Sequence, residues 1–273
     1  MEKTNKSKVI DNHSFVVCAY KENPYLQDTI DSLLNQSINS EIVVSTSTPN
    51  DHIKDICEKN NIKLIVNPKP INAGEDWNYG YNNVEKDLIT IVHQDDLYEP
   101  NFLEETIKAF EKFTDTQIVF TDYFELRNGK KVSNNSMLRI KRIMNAPFKL
   151  GLFNRSIFVK KRILSFGNPI CCPAITYNKA LLGLDIFDKT YINSCDYKTL
   201  IDLAFRKGRF VYVPLKLMSH RIYEESATTR NISNGVRTKE DLKIMEMLWP
   251  KFIAKRVVRI YAKSENLNDL DGE

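Results

Sequence analysis

The chain has little of what would place it outside the cell or across a membrane. Its five cysteines, Cys18, Cys57, Cys171, Cys172 and Cys195, are odd in number and show no C-x-x-C spacing, which argues against a disulfide framework or a cysteine-based metal motif. Set mostly among apolar neighbours, they read as buried free thiols and point to a reducing compartment. No apolar run is long enough to span a bilayer, and the opening "MEKTNKSKVIDNH" carries no signal-peptide core. The expectation is a cytoplasmic protein, peripheral at most to the inner face of the cell membrane. Glycine is scarce, at 9 of 273 residues, and the first apolar run leads into "AYKENP" where a glycine-rich phosphate loop would stand, which disfavours a sugar nucleotidyltransferase.

Acidic residues are missing from one long stretch. Between Leu126 and Leu184 there is no Asp or Glu, while twelve Lys and Arg occur there, so the net +4 of the whole chain leaves the remainder acidic. A total of +4 does not imply nucleic-acid binding, and no nucleic-acid partner is expected. The one-sided stretch creates a positive field suited to a lipid headgroup or a phosphorylated acceptor, or else it is a set of solvated helix faces.

What is present is a rhythm. Short β-forming runs alternate with helical patterns: "SFVVCAY" then 24–36, "EIVVST" then 51–60, "IKLIVN" then 75–84, "DLITIVH" then 101–113, then "TQIVFTD". Four such alternations predict βαβ units with right-handed crossovers. The first helix has Asn23 as its predicted cap, Pro24 at its first position, and Leu26, Ile30, Leu33 and Leu34 on one face. Past Asp122 the pattern changes to a hairpin around Asn128-Gly129, basic helices over 137–165, a loop "GNPICCPAITYN", a helix over 195–207, the strands "RFVYVP" and "LKLMSHRI", and a helical tail.

"IVHQDDLYEP" places two carboxylates at the end of the fourth predicted strand. In an open α/β sheet, ligands bind beyond the carboxyl ends of the strands. If extended geometry persists, His93 and Asp95 share one face, with Gln94 and Asp96 on the other. Neighbouring carboxylates stay ionised most easily beside a divalent cation, and oxygen ligands suit Mg²⁺ or Mn²⁺. As an isolated string "DD" is a weak signal, more often a loop or helix-start feature than a ligand pair.

"FVVCAYKENPYLQDTIDSLLNQS", "INAGEDWNYGYNNVEKDLITIVHQDDLYEPNFLEE" and "CDYKTLIDLAFRKGRFVYVPLKLMSHRIYEESATT", in that order, resemble family 2 glycosyltransferases over about residues 14–229. The resemblance implies an α/β fold of GT-A type, a Rossmann-like open and mostly parallel sheet flanked by helices, with a helical C-terminal portion. It also implies an inverting transfer from a nucleotide-sugar, UDP-linked by expectation, to a saccharide or lipid-linked saccharide in surface-glycan assembly. The implied organisation is a nucleotide-sugar-binding half over 1–130, an acceptor-binding and catalytic half of the same domain over 131–235, and a basic helical extension over 236–273.

By the same resemblance, Asp95 and Asp96 take the place of the family's Asp-x-Asp motif and bind Mn²⁺ or Mg²⁺ with the donor's diphosphate. His93 stands where the first Asp often lies, and a neutral imidazole there lowers the local negative charge. Ala19, Tyr20 and Glu22 match the loop that contacts base and ribose; Tyr20 either stacks on uracil or packs beneath the loop. Where the family often has an Asp after the second strand, this chain has "STSTPND", leaving a hydroxyl of Ser45 or Thr46 to substitute. Asn72, Gly74 and Asp76 match a further donor-side loop, with Gly74 expected to permit a turn, and Gln94 completes the donor set.

Asp196 matches the family's acidic residue at the start of a helix and is the candidate base that takes the acceptor hydroxyl's proton. A helix N-terminus stabilises a carboxylate, so apolar surroundings must raise its pKa again if it is to work near neutral pH. In "SHRIYEESATT", His220 is a candidate third metal ligand or phosphate contact and Arg221 a candidate diphosphate contact, followed by Ser226, Thr228 and Thr229 in a covering loop. The tail repeats Lys251, Lys255, Arg259 and Lys263 at helical spacing. Such a helix suits an anionic membrane, or packs on the core or on a second copy as a homo-oligomer contact. The competing reading from another class is a non-catalytic carbohydrate- or nucleotide-binding protein on a degenerate version of this fold.

Overall fold

The computed structural model describes residues 11–223 and 236–270, the last eight of these through their backbone alone. Ser226, Thr228, Thr229 and the Lys263 side chain lie outside the described residues.

The βαβ rhythm becomes four parallel strands, β1 (His13–Ala19), β2 (Glu41–Thr46), β3 (Lys63–Val66) and β4 (Leu88–His93), linked by α1 (Leu26–Leu34), α2 (Asp51–Lys59) and α3 (Ala73–Asn82). The chain continues through β5 (Leu97–Tyr98), α4 (Phe102–Phe110), β6 (Thr116–Arg127), β7 (Lys130–Val132), α5 (Ser136–Asn145) and α6 (Ile157–Leu164). It ends with β8 (Ile175–Asn178), α7 (Lys179–Leu182), α8 (Cys195–Ala204), β9 (Arg209–Ile222), α9 (Val236–Glu246) and α10 (Lys251–Leu270). The strands form one sheet in the order β3-β2-β1-β4-β8-β6-β9-β5, with β7 beside β6. Since β6 and β9 run parallel to each other and β8 is antiparallel to both β4 and β6, the strands β1–β4, β6 and β9 all open their carboxyl ends at one edge.

Period-two alternation separates two cores. Val16, Ile89 and Ile91 point to the face covered by α3, α6, α8, α9 and α10, whereas Phe15, Val17, Leu88 and Val92 point to the face covered by α1, α2 and α4. Helix α3 lies close on β1 and β2 because Gly80 has no side chain: a Cβ there would stand 2.6 Å from Val16 Cγ1 and 3.1 Å from Ser45 Cβ. Val16 is stiff and fully buried, so Gly80→Ala should destabilise the protein by about 1–3 kcal/mol, measured as a lower urea midpoint at unchanged m-value.

Several expectations change. The first helix starts at Leu26 with Tyr25 as its N-cap, because the Asn23 side chain accepts the Tyr25 N–H at 2.8 Å and closes a turn ahead of the helix. The expected loop 167–178 contains β8, a four-residue strand that is too short and too close to Cys172-Pro173 for periodicity to reveal. Its insertion makes the sheet mixed in its second half. "RFVYVP" and "LKLMSHRI" are one strand, in which Val213 pairs with Thr121 and Lys216 with Asp122, so Pro214 and Leu215 bulge out of the ladder. The hairpin is as expected, with Asn128 and Gly129 at φ 48° and 75°, the left-handed pair of a tight turn.

Much of the basic stretch is spent inside the fold. Arg142 meets Asp122 at 2.6 Å and Arg155 meets Asp115 at 3.1 Å, while Lys131 and Arg127 pair with Glu99 and Glu125. Lys160 is fully buried, donating to the carbonyls of Arg206 and Gly208 at 2.8 and 2.9 Å, and burial brings its pKa down to about 8. In the tail, Ala254 and Val258 of α10 are buried in the core and Lys251, Lys255 and Arg259 are exposed, so the helix packs its apolar side on the body of the protein.

His13 is buried at the start of β1, its ring nitrogens 2.7 Å from Ser40 Oγ and 2.9 Å from Thr90 Oγ1. Burial lowers its pKa from 6.5 to about 3. The unfolded chain therefore binds a proton below pH 6.5 that the folded chain refuses, and stability falls with pH by up to about 1.4 kcal/mol per unit until about pH 3. Urea unfolding at stepped pH should show a shallower acid loss for His13→Asn than for the unaltered protein; parallel curves would exclude this origin.

Candidate active site

The turn after β4 decides how the acidic pair is arranged. The strand ends at His93 and the chain turns, with the Asp96 N–H donating to the His93 carbonyl at 3.4 Å. The expected alternation therefore does not persist: the turn brings Asp96 round to His93, whose Nδ1 lies 3.7 Å from Asp96 Oδ2. Asp96 is fully buried and does not serve a helix start.

Its partner comes from the far end of the sheet. At the close of β9, His220 Nδ1 lies 3.0 Å from Asp96 Oδ1, and the Arg221 N–H donates to the same oxygen at 3.0 Å. Burial alone would raise the Asp96 pKa, but the charge and hydrogen bond of His220 overcome it and hold the carboxyl below its usual range. His220 is the mirror case, where burial would lower its pKa and the Asp96 charge raises it above the ordinary imidazole value.

Asp95 is pushed the other way, upward, first by burial and then by the charge of Asp96. Its Oδ2 accepts a hydrogen bond from the Tyr223 hydroxyl at 2.8 Å, and that hydroxyl accepts from the Asn23 side chain at 3.2 Å. Neither Tyr223 nor Asn23 carries a sequence signal for this role; the neighbouring acidic and basic letters drew attention instead. Arg221 does not stand free for a phosphate. Its Nε donates to the Asp95 carbonyl at 2.9 Å, its guanidinium lies 3.8 Å over the Tyr25 ring, and Nη2 is 3.6 Å from Asp28.

Donor-side residues fall into two groups. Tyr20 is 52% exposed, so it is not packed beneath its loop, and Glu22 is exposed as well. Gln94 positions this loop: its Oε1 accepts the Tyr20 N–H at 2.9 Å and its Nε2 donates to the Tyr20 carbonyl at 3.0 Å, which extends the β1–β4 ladder by one side chain. Ala19, Thr46, Asn72 and Gly74 each have a local engagement in the fold. Ala19 is buried at the end of β1, and the buried Thr46 hydroxyl accepts the Thr48 N–H at 3.0 Å. Asn72 caps α3 through the Glu75 N–H at 3.2 Å. Gly74 makes no turn; it sits in the first turn of α3, 3.5 Å by its Cβ direction from Cys195 at the start of α8. Asp76 joins two strand ends, accepting from Ser47 Oγ at 2.6 Å and from Asn67 Nδ2 at 2.7 Å.

Asp196 occupies the first turn of α8. Its Oδ2 accepts from Asn168 Nδ2 at 2.9 Å, and burial raises its pKa above the usual carboxylate value against the opposing charge of Arg237 and the backbone N–H of Tyr197. The compensation expected from the sequence is therefore present. Behind Asp196, Glu240 of α9 accepts the N–H groups of Ile192, Asn193 and Ser194 at 2.8, 2.9 and 3.0 Å, and Asp241 accepts from Ser194 Oγ at 2.8 Å.

Among the described residues, no group of three or more His, Cys, Asp or Glu side chains is already gathered to hold a metal ion, so the expected set of Asp95, Asp96 and His220 is not preassembled. Asp96 Oδ2 and His93 Nε2 are both buried without a hydrogen-bond partner, and His220 spends Nδ1 on Asp96, an arrangement that fixes the ring and leaves Nε2 for a ligand.

A model of the family described as Glycosyl transferase family 2 matches residues 14–177. The chain belongs to glycosyl transferase family 2. An uncharacterised glycosyltransferase from Rickettsia typhi is 25% identical over 246 residues, 89% of this chain and 71% of that one. Among solved structures, TarS 1-349 from S. aureus in complex with UDP-GlcNAc superposes with a TM-score of 0.60 at 17% identity, over 90% of this chain and 70% of that one. The mannosyltransferase PcManGT from Pyrobaculum calidifontis, in complex with GDP-Man and Mn²⁺, gives 0.62 at 13% identity, over 96% and 75%. This family 2 transferase thus has the GT-A fold of its neighbours, a mixed curled sheet flanked by helices.

Removing the Gln94 amide tests whether it holds the donor-side loop. Gln94→Ala should speed hydrogen exchange at the Tyr20 amide by about tenfold while leaving global stability nearly unchanged; unaltered exchange would mean that the loop is held elsewhere.

Proposed function

We propose that this chain transfers a sugar, with inversion, from a nucleoside diphosphate donor to a saccharide hydroxyl, free or lipid-linked, in surface-glycan assembly. The observation that carries the reading is the pair of stations at the carboxyl edge: a buried carboxylate cluster locked by His220, and a separate carboxyl, Asp196, fixed in direction and raised in pKa. A hydroxyl is a poor nucleophile until its proton is taken, and a carboxyl whose affinity for protons has been raised is better suited to take it. In the step we propose, the acceptor oxygen bonds to the anomeric carbon as the bond to the diphosphate oxygen breaks, and the acceptor proton passes to Asp196.

The donor-side roles follow the geometry. Tyr20 offers an exposed ring for a nucleobase, Gln94 fixes its backbone, and Asp76 contributes from the floor between β2 and β3. Asp95, Asp96 and His220 are the residues that would hold Mn²⁺ or Mg²⁺, which when bound supplies positive charge to the leaving diphosphate. Arg221 shapes this turn through the Asp95 carbonyl. A UDP-linked donor is favoured by the UDP-GlcNAc complex of TarS; the GDP-Man complex of PcManGT makes guanosine the alternative to test.

Asp196→Asn should keep UDP affinity within about twofold and lower the transfer rate by about 10²–10⁴-fold. In the unaltered enzyme the rate should fall as pH drops through a pKa above the ordinary Asp value, since protonated Asp196 accepts no further proton. An enzyme whose Asp196→Asn variant transfers sugar normally has another base, and a chain that binds UDP without turnover is the non-catalytic binding protein. Thermal protection by UDP against GDP, with and without Mn²⁺, separates the two donors.

A further inference from the structure

Two cations of the basic stretch, Lys161 and Arg162, sit among exposed aromatic side chains on α6. On α6, Phe158 is 70% exposed, and just beyond it Phe166 is 51% exposed, fractions unusual for phenylalanine in a folded domain. Arg162 lies between them, its guanidinium 4.4 Å over the Trp249 ring and 5.7 Å over Phe158, while Phe166 meets Trp249 edge-on at 5.8 Å. Lys161 is 4.0 Å over the half-exposed Phe205 at the end of α8. Phe158, Lys161, Arg162 and Leu248 line one shallow, open groove. Neither Lys161 nor Arg162 meets a carboxylate among the described residues, unlike Arg142, Arg155 or Lys131. A few residues before α6, Leu152 is 80% exposed in the same acid-free stretch.

We infer that this face, built from α6 with Phe205 and Leu248, docks on an anionic lipid bilayer. Cations held flat over aromatic rings keep their charge at the level of the apolar surface, so rings and guanidinium reach the headgroup region together. Carboxylates would oppose such docking, and the surrounding sequence has none between 126 and 184. Charge also argues against a second copy, because a two-fold contact through this face would set Lys161 and Arg162 against their own equivalents. The outer face of α10, with Lys251, Lys255 and Arg259, can add charge beside it.

The position carries a functional consequence. Helix α6 runs from this face towards Asn168, whose side chain holds Asp196. Docking therefore places the segment that positions the proposed base next to the lipid surface, where a lipid-linked acceptor presents its hydroxyl. That consequence rests on the transfer reading; the docking itself does not.

The test is co-sedimentation of the full chain with vesicles of phosphatidylcholine alone and with phosphatidylglycerol added. Binding should require the anionic lipid at about 0.1 M salt and largely vanish near 1 M. Phe158→Ser with Phe166→Ser, and separately Lys161→Glu with Arg162→Glu, should each weaken binding by about tenfold or more. Circular dichroism and UDP protection of each variant confirm that the fold and donor site remain. Equal sedimentation with neutral and anionic vesicles, no sedimentation, or unchanged binding of both double variants overturns the inference. So does a dimer in light scattering that Phe158→Ser dissolves, which would assign the face to a second copy. An unaltered chain that docks as described and transfers no sugar would leave this inference standing and count instead against the function proposed above.

Discussion

The buried pairing of Asp96 with His220 is the constraint on which the candidate site depends. A fully buried carboxylate is costly unless charge and hydrogen bonds compensate it, and here both compensations come from the end of β9. The turn after β4 is thereby tied to residues more than 120 positions further along the chain. Sheet order makes this possible: β4 and β9 are separated by β8 and β6, but all except β8 release their chains at the same edge. Without the partner from β9, two adjacent acids on a tight turn would repel each other and draw water into the core.

From that pair the arrangement spreads outward. Tyr223 continues the chain from β9, takes hold of Asp95 and, through Asn23, touches the turn ahead of α1. Gln94 reaches the other way to the end of β1. Four residues in succession at the strand's end, His93 to Asp96, thus each hold a different part of the edge, and Trp77 of α3 stacks on His93 at 5.3 Å. The raised and lowered pKa values of Asp95 and Asp96 are consequences of this sharing, since one acid takes the cations and the other is left with burial and a like charge.

The fold was largely legible. Strands rich in Val and Ile at regular spacing, separated by amphipathic helices, allow few arrangements, and β1 to β4 fall within a residue of their expected bounds at every end. The site was legible as a place more than as a geometry. The position of the acids at a strand end was readable, but the period-two face assignment failed because a turn intervenes. Thr46 and Gly74 match family positions and are buried, and the half-buried Asn72 caps α3, local engagements that neighbouring letters do not reveal. Tyr223, Asn168 and Glu240 were not legible, since each acts across a sequence separation that only the folded sheet closes.

The three amide groups gathered by Glu240 tie α9 to the candidate site. A single carboxylate from α9 satisfies the backbone immediately ahead of α8, acting as a detached cap for the helix that carries Asp196. The C-terminal helices therefore brace the start of α8, and a shortened chain that kept every strand of the sheet would still lose the support beneath Asp196.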